Sequence, residues 1–173
     1  MRWIPAIPVD RARARFNLAW RATRRLSLSA EYNPGESEFL PNFNFAAVLP
    51  GEIVEGIGVV AGTSSDRIGT PEGRAWFASA AWSAAAWTDL PLTGYLGASY
   101  GTYANDLRAI AGATWWISDR FSAGFIHDGE NLHWIGSCGL GELGPGGASW
   151  QVDLLLIEQD EFHTLGATVS VRF

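Results

Sequence analysis

Histidine, serine and acid fall close together once in this sequence, at His127-Asp128-Gly129, His133 and Ser137. Such residues carry out acyl transfer when the histidine lies within hydrogen-bond reach of the serine and a third group orients the ring. On one strand face His133 and Ser137 would stand about 13 Å apart, four residues along. They do not touch, and the group reads as polar residues around an Asp-Gly turn, with no catalytic residue assigned. The three histidines have no zinc spacing. The stretch Gly62-Thr-Ser-Ser-Asp-Arg-Ile-Gly-Thr-Pro-Glu-Gly73 has no Walker A lysine and no EF-hand pattern. A calcium or saccharide site there is the alternative to an ordinary loop, and carboxylates are few for a hard cation. No metal or cofactor is expected.

The arginines offer more. Arg13, Arg15, Asn17 and Arg21 recur at even spacing, and Glu31 returns beside them on the following segment. Two readings use the same residues. One is an ion-pair network that satisfies enclosed charge. The other is a charged constriction that selects permeating ions or small anions.

Positioning such residues requires strands. From Arg11, the even positions Ala12, Ala14, Phe16, Leu18 and Trp20 are apolar, while Arg11, Arg13, Arg15, Asn17 and Arg21 are polar. Period two marks a strand with a different environment on each face, whereas a helix would spread the arginines around its circumference. After Thr23-Arg24-Arg25, Leu26, Leu28, Ala30 and Tyr32 oppose Ser27, Ser29, Glu31 and Asn33, which makes a hairpin. The pattern repeats over 39–49, 53–63, 74–86, 92–103, 107–117, 121–127, 132–140, 149–157 and 164–173. The facing of 53–63 stays undecided. Turn signals separate the strands: Asn-Pro-Gly at 33–35, Leu-Pro-Gly at 49–51, Asp-Gly at 128–129 and Gly-Pro-Gly-Gly at 144–147. No capped helical pattern appears, so the expected fold is all-β.

At 173 residues one domain is expected. An apolar content of 47% with 17% charged residues excludes intrinsic disorder, and one cysteine excludes an internal disulfide. No uncharged stretch approaches the roughly 20 residues of a spanning helix. All basic residues are arginine. Seven of them fall in the first 25 positions beside one acid, while the rest of the chain is strongly acidic and the net charge is −6. An acidic whole argues against nucleic acid as partner.

Eleven such strands suit a closed barrel, which leaves no unpaired edge. In a soluble barrel the apolar face points in; in a membrane barrel it points out to lipid. Three features favour the second. Strands of about 9–12 residues cross a bilayer at barrel tilt. Aromatics gather towards two ends, with Trp20, Trp87, Trp115, Trp116 and Phe173 on one side and Tyr32, Phe39, Tyr100, Tyr103 and Trp150 on the other. The polar face carries Arg and Glu, which suits a wet interior. By the same alternation Cys138 shares the outward face with Leu132, Trp134 and Leu140.

The ending Leu165-Gly-Ala-Thr-Val-Ser-Val-Arg-Phe173 resembles the C-terminal strand signal of Gram-negative outer-membrane β-barrel proteins. The hairpin Arg13–Asn33 and the Trp-Trp-Ile-Ser-Asp-Arg-Phe-Ser-Ala-Gly-Phe passage at 115–125 are similar to that class too. The resemblance covers 11–173 and points to no narrower family. It implies a bacterial outer-membrane location, assembly by the barrel assembly machinery, and outer-membrane lipids and lipopolysaccharide as partners. Residues 1–8 lack the apolar region and cleavage site of a secretory signal. Because single-chain bacterial barrels have even strand numbers, residues 3–9 are a candidate short extra strand despite Pro5 and Pro8.

The expectation is therefore an antiparallel up-and-down transmembrane barrel of about 12 strands (10–12) over 11–173, with 1–10 an N-terminal segment or short first strand. Its function would be that of a narrow porin-like channel or a structural membrane barrel. A lipid-modifying barrel enzyme and a soluble ligand-binding barrel are the alternatives. If Ala14, Phe16, Leu18 and Trp20 face lipid, Arg13, Arg15 and Arg21 face the lumen, since an Arg near the midplane of the lipid face costs about 2–4 kcal/mol. An Arg15–Glu31 pair, direct or diagonal, is expected, joined by Asp153 and Arg172 where the barrel closes. With Phe173 at the periplasmic end, the outer loops hold Glu36, Glu38, Asp66, Glu72, Asp106, Asp128, Glu130, Glu158, Asp160 and Glu161 against Arg67 alone, with Arg74 at the border. The opposite turns are nearly balanced, and the outer mouth should be acidic.

Overall fold

Every strand of this chain finds a hydrogen-bonded neighbour on both sides. In the computed structural model, which describes residues 1–4, 14–35, 37–65, 73–102, 105–142, 148–159 and 162–172, the sheet closes on itself in sequence order. Twelve strands form it: β1 (Arg2–Trp3), β2 (Ala14–Arg21), β3 (Leu26–Asn33), β4 (Glu38–Val48), β5 (Ile57–Ser65), β6 (Arg74–Ser83), β7 (Leu92–Gly101), β8 (Asp106–Trp116), β9 (Phe121–His127), β10 (Leu132–Glu142), β11 (Ser149–Gln159) and β12 (Phe162–Arg172). All pairings are antiparallel and, apart from the closing β1–β12 seam, join consecutive strands, so the barrel runs up and down. The one helical piece among the described residues is a 3-10 turn at Ala84–Ala86. It ends β6 at Ser83, short of the expected 86, because three alanines in a row offer no alternation to hold a strand.

The twelfth strand is shorter than the sequence suggested. Arg2 and Trp3 pair with Thr168 and Ala167 on β12 and with Arg15 and Ala14 on β2. Met1 reinforces the seam, its amino group donating to the Val169 carbonyl and its carbonyl accepting from the Val169 N–H, both at 2.8 Å. Two residues thus remove both edges of an eleven-strand sheet. Twelve strands about 4.8 Å apart and tilted by about 40° make a wall about 24 Å across.

Register fixes which face points where. Phe16, Leu18 and Trp20 on β2 lie opposite Tyr32, Ala30 and Leu28 on β3. The same outward row runs on through Phe43 and Phe45, Trp76, Leu96, Trp115, Phe121, Trp134, Leu154 and Leu165. These outward side chains are exposed or half-buried: Leu18 is 76% exposed, Trp20 65%, Leu154 62% and Leu165 66%. The buried side chains are polar: Glu31, Asn33, Asn42, Thr63, Ser79 and Ser122. Among the described residues only Ile4, Ala75 and Ala148 are buried apolar ones. The usual order of a water-soluble core is inverted. For β5 the register settles the open facing, with Val59 and Ala61 outward and Gly58 and Gly62 buried within.

Connections β3–β4, β5–β6, β7–β8, β9–β10 and β11–β12 share one end of the barrel, here the loop end, and Arg172 lies at the other, the turn end. Outward aromatics band both ends, with Trp3, Tyr32, Phe39, Trp76 and Tyr100 towards the loop end and Trp20, Phe45, Trp115 and Phe121 towards the turn end. Trp150 is a correction: it follows Ser149 at the start of β11 and so belongs to the turn end. Tyr103 and Phe173 lie outside the described residues.

Candidate functional site

The inward row holds the polar side chains that alternation separates from the apolar wall. Arg15 points inward beside Glu31, and Arg15 Nη1 donates to Glu31 Oε1 at 3.2 Å. Glu31 stands directly opposite Asn17, so the ion pair is diagonal. The Glu31 side chain is 9% exposed and that of Arg15 24%. The same Nη1 donates to Ser65 Oγ at 3.2 Å. Ser65 ends β5, three strands from β2, so Arg15 straps the inside of the wall across β3 and β4. Ser65 shares its row with outward-row Thr63, so such a reach requires the end of β5 to turn inward.

One lateral row of register carries polar side chains from β9 to β2: Ser122, Ser137, Asp153, Thr168, Arg2 and Arg15. Arg2 is the residue that sequence reasoning missed. Alternation could not reveal it, because a two-residue strand has no period. Its insertion also corrects the expected four-residue network. Asp153 faces inward but is separated from Arg15 by Thr168 and Arg2, and its carboxylate accepts from Gln151 Nε2 at 2.6 Å. Arg172 lies opposite Ser149 at the turn end, four residues beyond Thr168, and is exposed. Arg21 likewise lies exposed at the turn end. Neither joins Glu31. Arg13 falls outside the described residues.

The lumen is two-sided. Ile110, Ile126, Ile135 and Leu155 face inward on β8 to β11, whereas Arg15, Glu31, Asn33 and Asn42 face inward on β2 to β4. Between them Tyr95 lays its ring over Gly112, where a Cβ would collide with it.

At the loop end the described acids are Glu38, Asp106, Asp128, Glu130 and, near the end of β11, Glu158, opposite the end that holds Arg172. Arg108 moderates this charge: Nε donates to Asp106 Oδ2 at 3.2 Å and Nη1 to Glu130 Oε2 at 2.9 Å. His133 Nε2 lies 2.8 Å from Asp128 Oδ2. Asp128 also caps its own turn, accepting from the N–H groups of Glu130 and Asn131 at 3.0 and 2.8 Å. Burial alone would raise the Asp128 pKa; the bonds from His133, Asn131 and Glu130 outweigh it and hold the carboxyl at about 2. Gly129, at φ 105°, supplies the left-handed residue this turn needs. Ser137 lies opposite Ser122 and Asp153, four residues down the strand from His133, so the histidine has an orienting acid and no serine beside it. Cys138 is half-buried on the outward row. Among the described residues no group of three His, Cys, Asp or Glu is placed to hold a metal. At the turn end Arg25 pairs with Glu52 and donates to the Ala46 and Ala47 carbonyls. Glu36, Asp66, Arg67, Glu72, Asp160 and Glu161 lie outside the described residues.

The chain matches no protein-family model, and no characterised protein matches it in sequence. The class it defines by its own geometry is a closed twelve-stranded antiparallel β-barrel with an apolar outer wall and a lumen that is polar on β2 to β4 and apolar on β8 to β11.

Proposed function

We propose that this chain is an outer-membrane β-barrel, a narrow porin-like channel or structural membrane barrel whose lumen is lined by Arg15, Glu31, Arg2 and Asp153. The observation that carries this reading is the inverted wall. Leu18, Trp20, Leu154 and Leu165 are spread over an outer face that water would penalise at about 25 cal/mol per Å², and the charged residues lie within. A hydrocarbon surround removes that penalty. Two aromatic bands, where headgroups would lie, agree with it. On this reading the loop end faces outward, its acids gather cations, including those that bridge lipopolysaccharide, and the barrel assembly machinery inserts the chain from the periplasm. Planar-bilayer recording tests the channel: discrete conductance steps are expected, and their absence from a chain that has inserted leaves the structural barrel instead.

A further inference from the structure

The seam between β4 and β5 differs from the others. Its backbone pairing runs from Val48–Val59 through a bulge to Asn44–Gly62 and stops. Yet β4 remains paired to β3 as far as Glu38, and β5 to β6 as far as Ser65. Among the described residues no backbone pair joins 38–43 to 63–65, so the wall has a slit towards the loop end. Pro41 helps to make it, having no N–H to offer a ladder. Gly62 marks where it begins, since a Cβ there would strike the Phe43 carbonyl and the Asn44 side chain.

Side chains close the slit in three layers. Outside, Phe43 and Trp76 meet edge to face at 6.1 Å, spanning β4 to β6 beside Thr63. In the wall, Thr63 Oγ1 accepts from the Phe43 N–H at 3.2 Å and donates to Asn42 Oδ1 at 3.3 Å. Arg74 Nη1 reaches from β6 across β5 to the Pro41 carbonyl at 2.7 Å and to Thr63 Oγ1 at 3.4 Å. Inside, Arg15 straps Glu31 on β3 to Ser65 at the end of β5. Thr63 sits on the outward row yet is 2% exposed. Side-chain bonds of this kind open singly, whereas a ladder opens only cooperatively.

We propose that this slit is a lateral portal through which a single-chain anionic amphiphile of the fatty carboxylate class passes between the lumen and the hydrocarbon around the wall. The proposal rests on the membrane reading above. To pass one polymethylene chain, itself about as wide as the strand spacing of about 4.8 Å, the two strands must part by one such width, whereas a two-chain lipid needs about twice that. Exposed Phe39 and Phe45 flank the outer approach. Inside, Leu40, Ala46 and Val60 line the near edge, and Ile110, Ile126, Ile135 and Leu155 face it from β8 to β11. The head meets donors: Arg15 at the inner mouth, and Asn33, which is 3% exposed and whose Nδ2 has no acceptor among the described residues.

The test places the full chain, carrying Cys138→Ala, in phosphatidylcholine vesicles with palmitate bearing a mid-chain diazirine, and maps the photolabelled residues. Outer-wall labelling at Leu18 and Leu154 reports membrane insertion. Additional labelling of lumen-facing Leu40, Val60 and Ile110 is the result expected of a portal. A cross-slit disulfide from Asn42→Cys with Ser64→Cys should reduce lumen labelling to background and leave the wall labelled, with recovery on reduction. Arg74→Leu, which removes the latch, should raise lumen labelling several-fold. Wall labelling with an unlabelled lumen, or lumen labelling unchanged by both the lock and Arg74→Leu, overturns the portal and leaves the membrane barrel standing. No labelling of the wall overturns both.

Discussion

Arg15 holds two jobs in one guanidinium, neutralising Glu31 and tying down the end of β5. Arg15→Ala therefore leaves a 9%-exposed carboxylate without its cation, a change of about 2–3 kcal/mol given partial hydration. Glu31→Gln keeps a polar partner for Arg15 and should cost about 1 kcal/mol. Chemical unfolding of both variants in detergent orders them. If the barrel conducts as proposed, Arg15→Ala should widen the pore in single-channel recording and shift its ion preference towards cations, because it removes a positive charge and keeps Glu31. Asp128 gives a pH prediction at the same scale. Its carboxyl falls from an ordinary 3.8 to about 2 on folding, so its stabilisation is present above pH 3.8 and is lost as pH falls through 2. Asp128 is 46% exposed, and solvent screening leaves about 1 kcal/mol or less. His133→Ala should move the carboxyl back towards 3.8, which carbon-detected titration of Asp128 reads directly.

Strands set the next level, and glycines report their packing most sharply. A Cβ on inward Gly97 would run into the Ala78 carbonyl and Ser79, whereas outward Gly136 has open space around it. Gly97→Ala should destabilise the barrel by about 1–3 kcal/mol, and Gly136→Ala should change little; equal effects would contradict the assigned register. Period-two alternation revealed these strands because each face meets one environment along its whole length. It located β2 and β3 and predicted the Arg15–Glu31 pair, direct or diagonal, which needs only a tight turn and antiparallel pairing; the register makes it diagonal. It could not show β1, whose two residues have no period, nor separate Ser83 from Ala86, where alanine suits either state. It also placed Trp150 at the wrong end although it began the strand at 149, as observed, because alternation gives a strand's two faces and not the end of the barrel at which it starts. Thr63, Asn42 and Arg74 were invisible as a group, since a ladder that stops early leaves no trace in hydrophobic pattern. Nor does alternation give the partners of Arg108, whose acids lie on its own strand end and on the β9–β10 turn.

For the whole molecule, the claim that matters is what surrounds the outer wall. An Arg at Leu18 or Leu154 should cost about 2–4 kcal/mol if hydrocarbon lies there, while Asn17→Arg on the inner face of the same strand should be tolerated. Hydration of the outer wall would make the three alike. More direct is the emission of the native tryptophans in vesicles whose lipids carry brominated acyl chains. Trp3, Trp20, Trp76, Trp115 and Trp134 are all about half exposed or more on the outside, and most of them lie near the ends of the strands. The account predicts that bromines placed near the headgroups quench most of this emission, and more strongly than bromines at the chain ends. Unquenched emission from a chain that is folded and monomeric in buffer without lipid or detergent would contradict it.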